Sequence, residues 1–364
     1  MIFHSDAGSL EHGGDLAAAR RLFPHAPQPF IDLSTGINPY PYPLPSLAAN
    51  VFTQLPDSAA QIRLREIAAR TYGAPSATHV VCAPGTQILL PLLAALVPPG
   101  RAGVLGPTYS EHARAAALAG HAVIDVRDID ELRAVDLAVV VNPNNPDGRI
   151  ITKEKLLALS DDLSGRGGLL ALDEAFMEVG PPGASLAGEI HRGNIIVLRS
   201  FGKFFGLPGL RLGFALAAPD LAAKLNATLG PWAVSGPAIA VAEQALADHA
   251  WIDATRIRLA SAAGKLDHLL AEARVEVLGG TVLFRLVRTR RAHEIFQHLG
   301  TAGIIVRAFR ERPTWLRFGI PSESSWDRVR SRLEAYGKLA GTATTPESAL
   351  NGAPSSFSAE YRQR

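Results

Sequence analysis

The segment SFGKFFGLPGLRLGF, which begins at Ser200, places one lysine among glycines and an arginine eight residues after it. The amine of Lys203 can act as a nucleophile and hold an aldehyde cofactor as a Schiff base. Gly202 and Gly206 have no side chains to obstruct a flat ring, while Ser200 and Arg211 offer a hydroxyl and a fixed cation for a phosphate. A surface lysine in a glycine-rich turn would have the same local sequence, so other segments must decide between the two interpretations.

The segment LLALDEAFMEV begins with an apolar run of strand length that ends in Asp173 and Glu174. A carboxylate at the end of a strand can face a pocket. Pyridoxal phosphate combines an aldehyde with a phosphate, and an aspartate paired with its pyridine nitrogen keeps the ring able to accept electrons from a substrate carbanion. We assign that role to Asp173. Taken alone, the two carboxylates could also be solvated loop residues or a helix N-cap.

The segment LAVVVNPNNPDGR has a buried type of strand that runs into a turn rich in Asn, Pro and Gly. Asn145 in this turn can donate its amide N–H to the phenolic oxygen of the cofactor, although such clusters by themselves mark only a turn. Asn145, Asp173 and Lys203 are separated by 28 and 30 residues, and each follows an apolar run. This order is more specific than any one of the three segments.

On these segments the sequence resembles the fold type I pyridoxal phosphate enzymes, and within them the branch of histidinol-phosphate aminotransferase and threonine-phosphate decarboxylase. The resemblance covers roughly residues 9–336. It implies that Lys203 is the Schiff-base lysine, Asp173 the partner of the pyridine nitrogen, Asn145 the ligand of the phenolate and Arg211 a ligand of the cofactor phosphate. It also implies a homodimer.

Two more segments resemble cofactor-binding parts of the family. In APGTQILLPLLAAL, the residues Gly85, Thr86 and Gln87 would offer main-chain N–H groups and a hydroxyl at a helix N-terminus, where partial positive charge favours a phosphate. GPTYSEH resembles the stretch whose aromatic residue stacks on the cofactor ring, and Tyr109 receives that role. Without the resemblance, the first segment is a glycine turn that opens a core helix and Tyr109 is a half-buried aromatic residue.

The N-terminal runs SLEHGGDLAAARRLFP and IDLSTGINPYPYPLP resemble the threonine-phosphate decarboxylases of cobalamin synthesis more than the aminotransferases. Main-chain N–H groups at glycines, beside an imidazole that can carry charge, can form a small anion site. The residues that would grip a substrate phosphate are His12, Gly13 and Gly14 in the first run and Ser34, Thr35, Gly36 and Asn38 in the second. An N-terminal arm with turn glycines and a surface histidine explains the first cluster equally well.

Two departures from the aminotransferase pattern point towards the decarboxylases, although neutral drift would also produce them. Phe176 stands where the aminotransferases usually have a tyrosine that hydrogen-bonds the cofactor phenolate. Leu55 stands where they have a tyrosine that reaches the cofactor phosphate of the neighbouring subunit. Neither contact can be made by this chain.

Two strand-like runs near the C-terminus, GIIVRAF and WLRFGIP, each carry one arginine. A guanidinium group presents a rigid fork that suits a carboxylate. The resemblance therefore assigns Arg317 to the α-carboxylate of the substrate and Arg307 to its phosphate or carboxylate. Arginines that alternate with apolar residues on strands otherwise face solvent.

The resemblance implies a pyridoxal phosphate-dependent carboxy-lyase that converts L-threonine O-3-phosphate into (R)-1-aminopropan-2-yl phosphate for cobalamin (vitamin B12) biosynthesis. The bond at the substrate Cα that stands perpendicular to the cofactor ring is the bond that breaks, and it decides between decarboxylation and transamination. The sequence does not show the orientation of this bond. Two alternatives stay open. One is a histidinol-phosphate or related class II aminotransferase, and the other is a catalytically idle assembly partner that retains the fold.

Composition limits the other classes of function. The 364 residues, 47% of them hydrophobic, can bury one large core and a second smaller one. The arginines are scattered and the net charge is only +2, so we expect no nucleic-acid partner. A single cysteine, Cys82, indicates a reducing compartment. With no secretory signal and no apolar run long enough to cross a bilayer, we expect a cytoplasmic protein that binds no membrane and no metal.

The elements that must hold these residues follow from the apolar pattern. Strand-like runs alternate with amphipathic helical stretches from about residue 64 to 216, as a mainly parallel sheet covered by helices requires. We therefore predict an α/β fold, the fold type I arrangement by resemblance, whose central strands include residues 137–141, 169–173 and 195–198. The predicted parts are an N-terminal arm near the active site (1–44), a large cofactor-binding domain (45–218), a small α+β C-terminal domain (219–340) and a disordered tail (341–364).

Overall fold

A computed structural model describes residues 13–342, with only the backbone of residues 340–342. The predicted anion ligand His12 and almost all of the predicted tail lie outside the described residues. The described strands are β1 (Ile31–Leu33), β2 (Val80–Ala83), β3 (Arg101–Leu105), β4 (Ala122–Val126), β5 (Leu137–Val141), β6 (Leu169–Asp173), β7 (Ile195–Ser200), β8 (Gly213–Leu216), β9 (Glu276–Thr281), β10 (Phe284–Arg288), β11 (Ile304–Ala308) and β12 (Trp315–Gly319).

Helices lie between most consecutive strands. They are α1 (Leu16–Leu22), α2 (Asn50–Thr53), α3 (Ser58–Tyr72), α4 (Thr86–Ala94), α5 (Glu111–Leu118), α6 (Lys153–Ser164), α7 (Phe201–Phe204), α8 (Pro219–Leu229), α9 (Gly236–Ala247), α10 (His249–Glu272), α11 (Ala292–Gly300) and α12 (Trp326–Thr342). Within the described part of the chain, no helix combines the length and the apolar composition that crossing a bilayer demands.

The larger sheet has seven strands in the order β2-β8-β7-β6-β5-β3-β4. The five strands from β7 to β4 are parallel, whereas β8 runs antiparallel to both of its neighbours. All residues of β5 and β6 are buried, as in a parallel sheet covered by helices on both faces. The mainly parallel sheet is thus confirmed, and β5 and β6 have the predicted bounds, while β7 continues to Ser200.

The carboxyl ends of β5, β6 and β7 meet at one edge of this sheet. Val141 pairs with Asp173, and Asp173 pairs with Leu198, so the three strands end nearly level. Each end leads directly into one of the segments that the sequence analysis singled out. In an open α/β sheet this edge is where ligands bind, and the fold therefore gathers three separate segments at one site.

The smaller sheet has five strands in the order β1-β11-β12-β10-β9, and it includes a strand from the N-terminal arm. Ile31–Leu33 pairs in parallel with Ile304–Val306, so the arm continues the C-terminal sheet instead of only packing near it. Phe23, after α1, extends this attachment, because its ring lies 5.7 Å from the ring of Phe296 and fills the space above Gly300.

A cluster of buried aromatic side chains holds α7 in place beneath the edge of the larger sheet. The rings of Phe201 and Phe205 stack at 4.5 Å, and those of Phe205 and Trp251 stack at 5.7 Å. Phe204 packs edge to face against Phe205 at 5.3 Å. Each aromatic pair contributes about 0.5–1.5 kcal/mol beyond the burial of its surface. The four-residue helix that carries Lys203 is therefore fixed by packing.

Candidate functional site

Lys203 is the third residue of α7, directly after the end of β7. Its main-chain carbonyl accepts a hydrogen bond of 2.9 Å from the N–H of Asn38, which ties the arm to the lysine segment. Burial, followed by the charges of Arg317 and Arg211, lowers the pKa of Lys203 to about 8. Roughly one amine in ten is then neutral at pH 7, which is far more than for a solvated lysine. The site thus provides a lysine that can act as a nucleophile near neutral pH.

Asp173 ends β6 and is 7% exposed. Its Oδ2 lies 2.8 Å from Nε2 of His112, and its Oδ1 accepts a hydrogen bond of 3.0 Å from the N–H of Ala175. Both oxygens are therefore oriented. A carboxylate held in this way can keep a nitrogen base of a ligand protonated.

His112 is a site residue that the sequence analysis did not identify. It lies in the first turn of α5 and is 6% exposed. Its ring meets the ring of Tyr109 edge to face, with the centroids 6.0 Å apart. The only signal in the sequence was its place three residues after Tyr109, inside a segment that was already singled out.

Glu174 follows Asp173 but belongs to a different environment. It is fully buried, accepts hydrogen bonds from Ser185 Oγ (2.6 Å) and the N–H of Leu186 (2.9 Å), and lies 3.4 Å from Nε of Arg199. The two neighbouring carboxylates are thus neither solvated loop residues nor a helix N-cap. Glu174 stabilises the fold, while Asp173 joins the site.

A cradle for an anion forms where α4 begins. Gly85 precedes the helix with φ +85°, and a Cβ at this position would lie 2.6 Å from Nη2 of Arg211. Only glycine therefore allows the guanidinium to approach so closely. Thr86, the first residue of α4, contacts Gly213, which pairs with Ser200 on β7. The structure brings Gly85, Thr86, Ser200 and Arg211 together at a helix N-terminus, as a phosphate site requires.

Tyr109 and Gln87 are joined by a hydrogen bond. The hydroxyl of Tyr109 donates to Oε1 of Gln87 at 3.1 Å, and Nε2 of Gln87 donates to Glu111 at 2.6 Å. Burial, followed by the charges of Glu111 and Asp173, raises the pKa of Tyr109, so the hydroxyl keeps its proton. The side chain of Gln87 thus fixes an aromatic ring beside His112, in addition to its place in the first turn of α4.

Arg317 on β12 connects the arm with the turn after β5. It is 8% exposed, and its guanidinium donates to Oδ1 of Asn145 and, at 2.7 Å, to the carbonyl oxygen of Ser34. Oδ1 of Asn145 accepts the hydrogen bond from Arg317. The N–H groups of its side-chain amide are therefore the ones that can donate to a ligand. Burial, followed by the charge of Arg307, lowers the pKa of Arg317 to about 10, so it stays a cation at neutral pH.

Arg307 stands beside Arg317, because the two residues pair across β11 and β12. The positive charge of Arg307, after burial, contributes to the lowered pKa of Arg317. Its own guanidinium carbon lies 5.6 Å from the centroid of the Phe309 ring. Two adjacent cations near Lys203 would suit a ligand with two anionic groups.

Several residues of the arm that were predicted to bind the substrate phosphate contact one another in the structure. The N–H of Gly14 donates to Oγ of Ser34 at 2.9 Å, and Gly13 packs against the carbonyl of Ser34. The two glycines therefore contact Ser34, and the N–H of Gly14, which was expected to be open to an anion, already donates to the Ser34 hydroxyl. Thr35 lies against Gly14 through its methyl group.

Asn38 and Gly36 hold the arm in place. Nδ2 of Asn38 donates to the carbonyl of Phe204 at 2.8 Å, and its Oδ1 accepts from the N–H of Tyr40 at 2.8 Å. Gly36 packs against the rings of Phe176 and Phe284 with no room for a side chain. Both were predicted to bind the substrate, and the contacts that the structure shows for them hold the arm in place.

The donor set fits pyridoxal phosphate. A lysine of lowered pKa can take the aldehyde, an oriented carboxylate can pair with the pyridine nitrogen, and a glycine and arginine cradle can hold the phosphate. Asn145 and Tyr109 lie next to the same groups and can contact the ring. The structure therefore offers a protein group for the aldehyde, the pyridine nitrogen, the ring and the phosphate of the cofactor that the sequence suggested.

Known proteins are similar to this chain in sequence and in structure. Residues 28–333 match the model of the family "Aminotransferase class I and II". The chain is 41% identical over 331 residues to a threonine-phosphate decarboxylase of Pseudomonas aeruginosa, covering 90% of this chain and 98% of that protein. It is 42% identical over 322 residues to a threonine-phosphate decarboxylase of Sinorhizobium sp, covering 88% and 96%. The crystal structure of histidinol-phosphate aminotransferase from Sinorhizobium meliloti in complex with pyridoxal-5'-phosphate has a TM-score of 0.77 at 21% identity, covering 91% and 96%.

Proposed function

We propose, from the premise that the chain belongs to the aminotransferase class I and II family, that it is a pyridoxal phosphate-dependent carboxy-lyase acting on L-threonine O-3-phosphate. Its products would be (R)-1-aminopropan-2-yl phosphate and carbon dioxide, in cobalamin biosynthesis. One observation carries the proposal: the chain is 41% and 42% identical to two threonine-phosphate decarboxylases along about nine tenths of its length. The arrangement of Lys203, Asp173 and the two arginines supports it.

The residues that would hold the cofactor are those at the carboxyl edge of the larger sheet. When bound, pyridoxal phosphate supplies a protonated ring that accepts the electron pair of the bond broken at the substrate Cα. Asp173, oriented by His112, would keep the ring nitrogen protonated. Gly85, Thr86, Ser200 and Arg211 would hold the phosphate, and Asn145 and Tyr109 would contact the ring.

The substrate carries two anionic groups, and the site offers two neighbouring guanidinium groups. Arg317 would bind the α-carboxylate and Arg307 the phosphate. As the bond between Cα and the carboxylate breaks, carbon dioxide leaves, and the amine of Lys203 delivers a proton to Cα. Its pKa of about 8 allows it to give and take a proton near neutral pH.

The aminotransferase alternative requires that Lys203 remove the proton of Cα and that the carboxylate stay. Phe176, 3% exposed and packed against Phe284 at 5.1 Å, offers no hydroxyl to the site, which agrees with the departure noted in the sequence. The idle-partner alternative is weakened by the presence of Asn145, Asp173, Lys203 and Arg211 together. A protein without catalysis has no chemical need for all four.

We expect the purified protein, saturated with pyridoxal phosphate, to release one carbon dioxide for each aminopropanyl phosphate formed from L-threonine O-3-phosphate. Unphosphorylated L-threonine should be used at least about 100-fold less efficiently, because charge-assisted contacts to the phosphate, each of about 1.5–3 kcal/mol, are lost. Carbon dioxide capture and kcat/KM for the two substrates measure this. Glutamate formed from histidinol phosphate and 2-oxoglutarate, without carbon dioxide from phosphothreonine, would favour the aminotransferase.

We also propose a cytoplasmic homodimer. Leu44, Phe52 and Leu55 are 65–67% exposed within a segment of twelve residues, and such apolar surface is typical of an interface. Sedimentation equilibrium should give about twice the 38.6 kDa mass of the chain. The double substitution Phe52→Asp and Leu55→Asp should shift the mass towards one chain, whereas Ile257→Asp, at an equally exposed residue of α10, should not. A wild-type mass of one chain at micromolar concentration would contradict the dimer.

A further inference from the structure

Asp32 is a half-buried carboxylate at the entrance of the N-terminal arm into the smaller sheet. It is the middle residue of β1, and its Oδ1 accepts hydrogen bonds from both the N–H (2.8 Å) and the hydroxyl (2.5 Å) of Ser34. A side chain that bonds the main chain two residues ahead fixes a turn. The conformation of Ser34 is therefore set by Asp32.

Ser34, held by Asp32, in turn contacts Arg317 of the site. It is 1% exposed, and its carbonyl oxygen accepts the hydrogen bond of 2.7 Å from Nη2 of Arg317. The other guanidinium nitrogen of Arg317 donates to Asn145. Asp32, Ser34, Arg317 and Asn145 thus form one chain of hydrogen bonds from the arm to the turn after β5.

Asp32 also affects the site through its negative charge. Arg317 is buried beside Arg307, and its charge also acts on Lys203, so three cations share this part of the site. The negative charge of Asp32 opposes the loss of the proton from Arg317, and it adds to the larger effect of Asp173 in opposing that loss from Lys203. A buried cation without a nearby anion is costly and tends to move towards solvent.

We propose that Asp32 is a positioning residue for reaction specificity: acting through Ser34, it fixes the guanidinium of Arg317 and thereby the angle at which the substrate carboxylate is held. The inference rests on the proposed function. Held at that angle, the carboxylate would stand out of the plane of the ring, and carbon dioxide would be the group that leaves. If Arg317 is loosened, the hydrogen of Cα can take that place. Lys203 would then take this proton from Cα and deliver it to the cofactor carbon that carries the nitrogen, so that water could release the 2-oxo acid and leave the amino group on the cofactor.

The test uses Asp32→Ala, which removes both the acceptor and the charge, and Asp32→Asn, which keeps an acceptor oxygen for Ser34. The control is Asp15→Asn, which removes the same charge from the arm but preserves the N-cap of α1. For each holoenzyme we would measure carbon dioxide release per conversion of the cofactor to its amine form. We would also measure inhibition by two unreactive analogues, 3-phosphooxybutanoate, which has the carboxylate, and isopropyl phosphate, which lacks it.

In Asp32→Ala we expect the ratio of decarboxylation to amine-form conversion to fall at least about tenfold, and the inhibition constant of 3-phosphooxybutanoate to rise about tenfold. Isopropyl phosphate should bind within about twofold of wild type. Asp32→Asn should be intermediate and Asp15→Asn unchanged. An unchanged ratio, or equal weakening of both analogues, would overturn the proposal, because a merely structural role would not single out the carboxylate. If Asp32→Ala does not fold, Asp32→Asn is judged by the same two readouts.

Failure of the proposed function would look different. Wild-type protein would then release no carbon dioxide from L-threonine O-3-phosphate, whatever the analogues do. The preference of wild type for 3-phosphooxybutanoate over isopropyl phosphate, and its loss in Asp32→Ala, would still show whether Asp32 anchors a carboxylate through Arg317.

Discussion

Replacement of Lys203 by alanine should lower kcat for carbon dioxide release by at least about 10⁴-fold, because one amine provides both the covalent attachment and the proton transfer. The aromatic packing of α7 does not involve the amine, so the variant should stay folded. Steady-state kinetics at saturating pyridoxal phosphate measure the loss. Lys224→Ala, at an exposed lysine of α8, is the matched control and should behave as wild type.

A small external amine distinguishes loss of chemistry from loss of the site. Methylamine should restore part of the activity of Lys203→Ala, because the cradle at Gly85 and Arg211 would still hold the phosphate of the cofactor. Turnover within tenfold of wild type in the absence of added amine would remove Lys203 from the reaction.

Asp173→Asn should lower kcat by about 10³-fold or more, the second largest effect we expect. The amide has nearly the same shape as the carboxylate but no negative charge, so it cannot keep the ring nitrogen protonated. The hydrogen bond from Ala175 can persist, and the fold should be retained. Kinetics on cofactor-saturated protein give the loss, and circular dichroism checks the fold.

The control for Asp173→Asn is Asp220→Asn, which removes the charge of an exposed aspartate in the first turn of α8. It should keep full activity. A wild-type kcat in Asp173→Asn would mean that the carboxylate does not act on the ring, and another group would have to be found for that role.

Local sequence singled out the three residues to which we assign the chemistry. Asp173 ends a buried strand, Asn145 and Lys203 follow the ends of its two neighbours, and parallel neighbouring strands bring their carboxyl ends to one edge. The order of the three segments along the chain, and the apolar runs before them, are visible without any tertiary information. The same holds for the helix that begins after Gly85, because its apolar run follows directly.

Contacts between distant segments could not be predicted in this way. His112 reaches Asp173 across 61 residues, and the carbonyl of Ser34, whose N–H bonds to Asp32, accepts a hydrogen bond from Arg317 across 283 residues. These pairs depend on which strands are neighbours, and apolar runs do not specify strand order. The three-residue strand β1 is too short to show a period, so its pairing with β11 was also invisible.

The prediction for the arm shows a further limit of residue types. Asn38 and Gly14 have the polar groups that an anion site needs, but in the fold those groups already bond to Phe204, Tyr40 and Ser34. A sequence shows which hydrogen-bond donors exist, but it does not show which of them already donate to other groups of the folded protein. The substrate was inferred from the resemblance to a family, because no pattern of residues shows the orientation of the bonds at the substrate Cα.

The covalent attachment of the cofactor to Lys203 is tested most directly by borohydride reduction of the cofactor-saturated protein, followed by peptide mapping with mass spectrometry. We predict that the mass of the reduced cofactor is found on the peptide that contains Lys203, and that Lys203→Ala gives no such adduct. Absence of any adduct in the wild type, or an adduct on another lysine with Lys203 unmodified, would contradict the account.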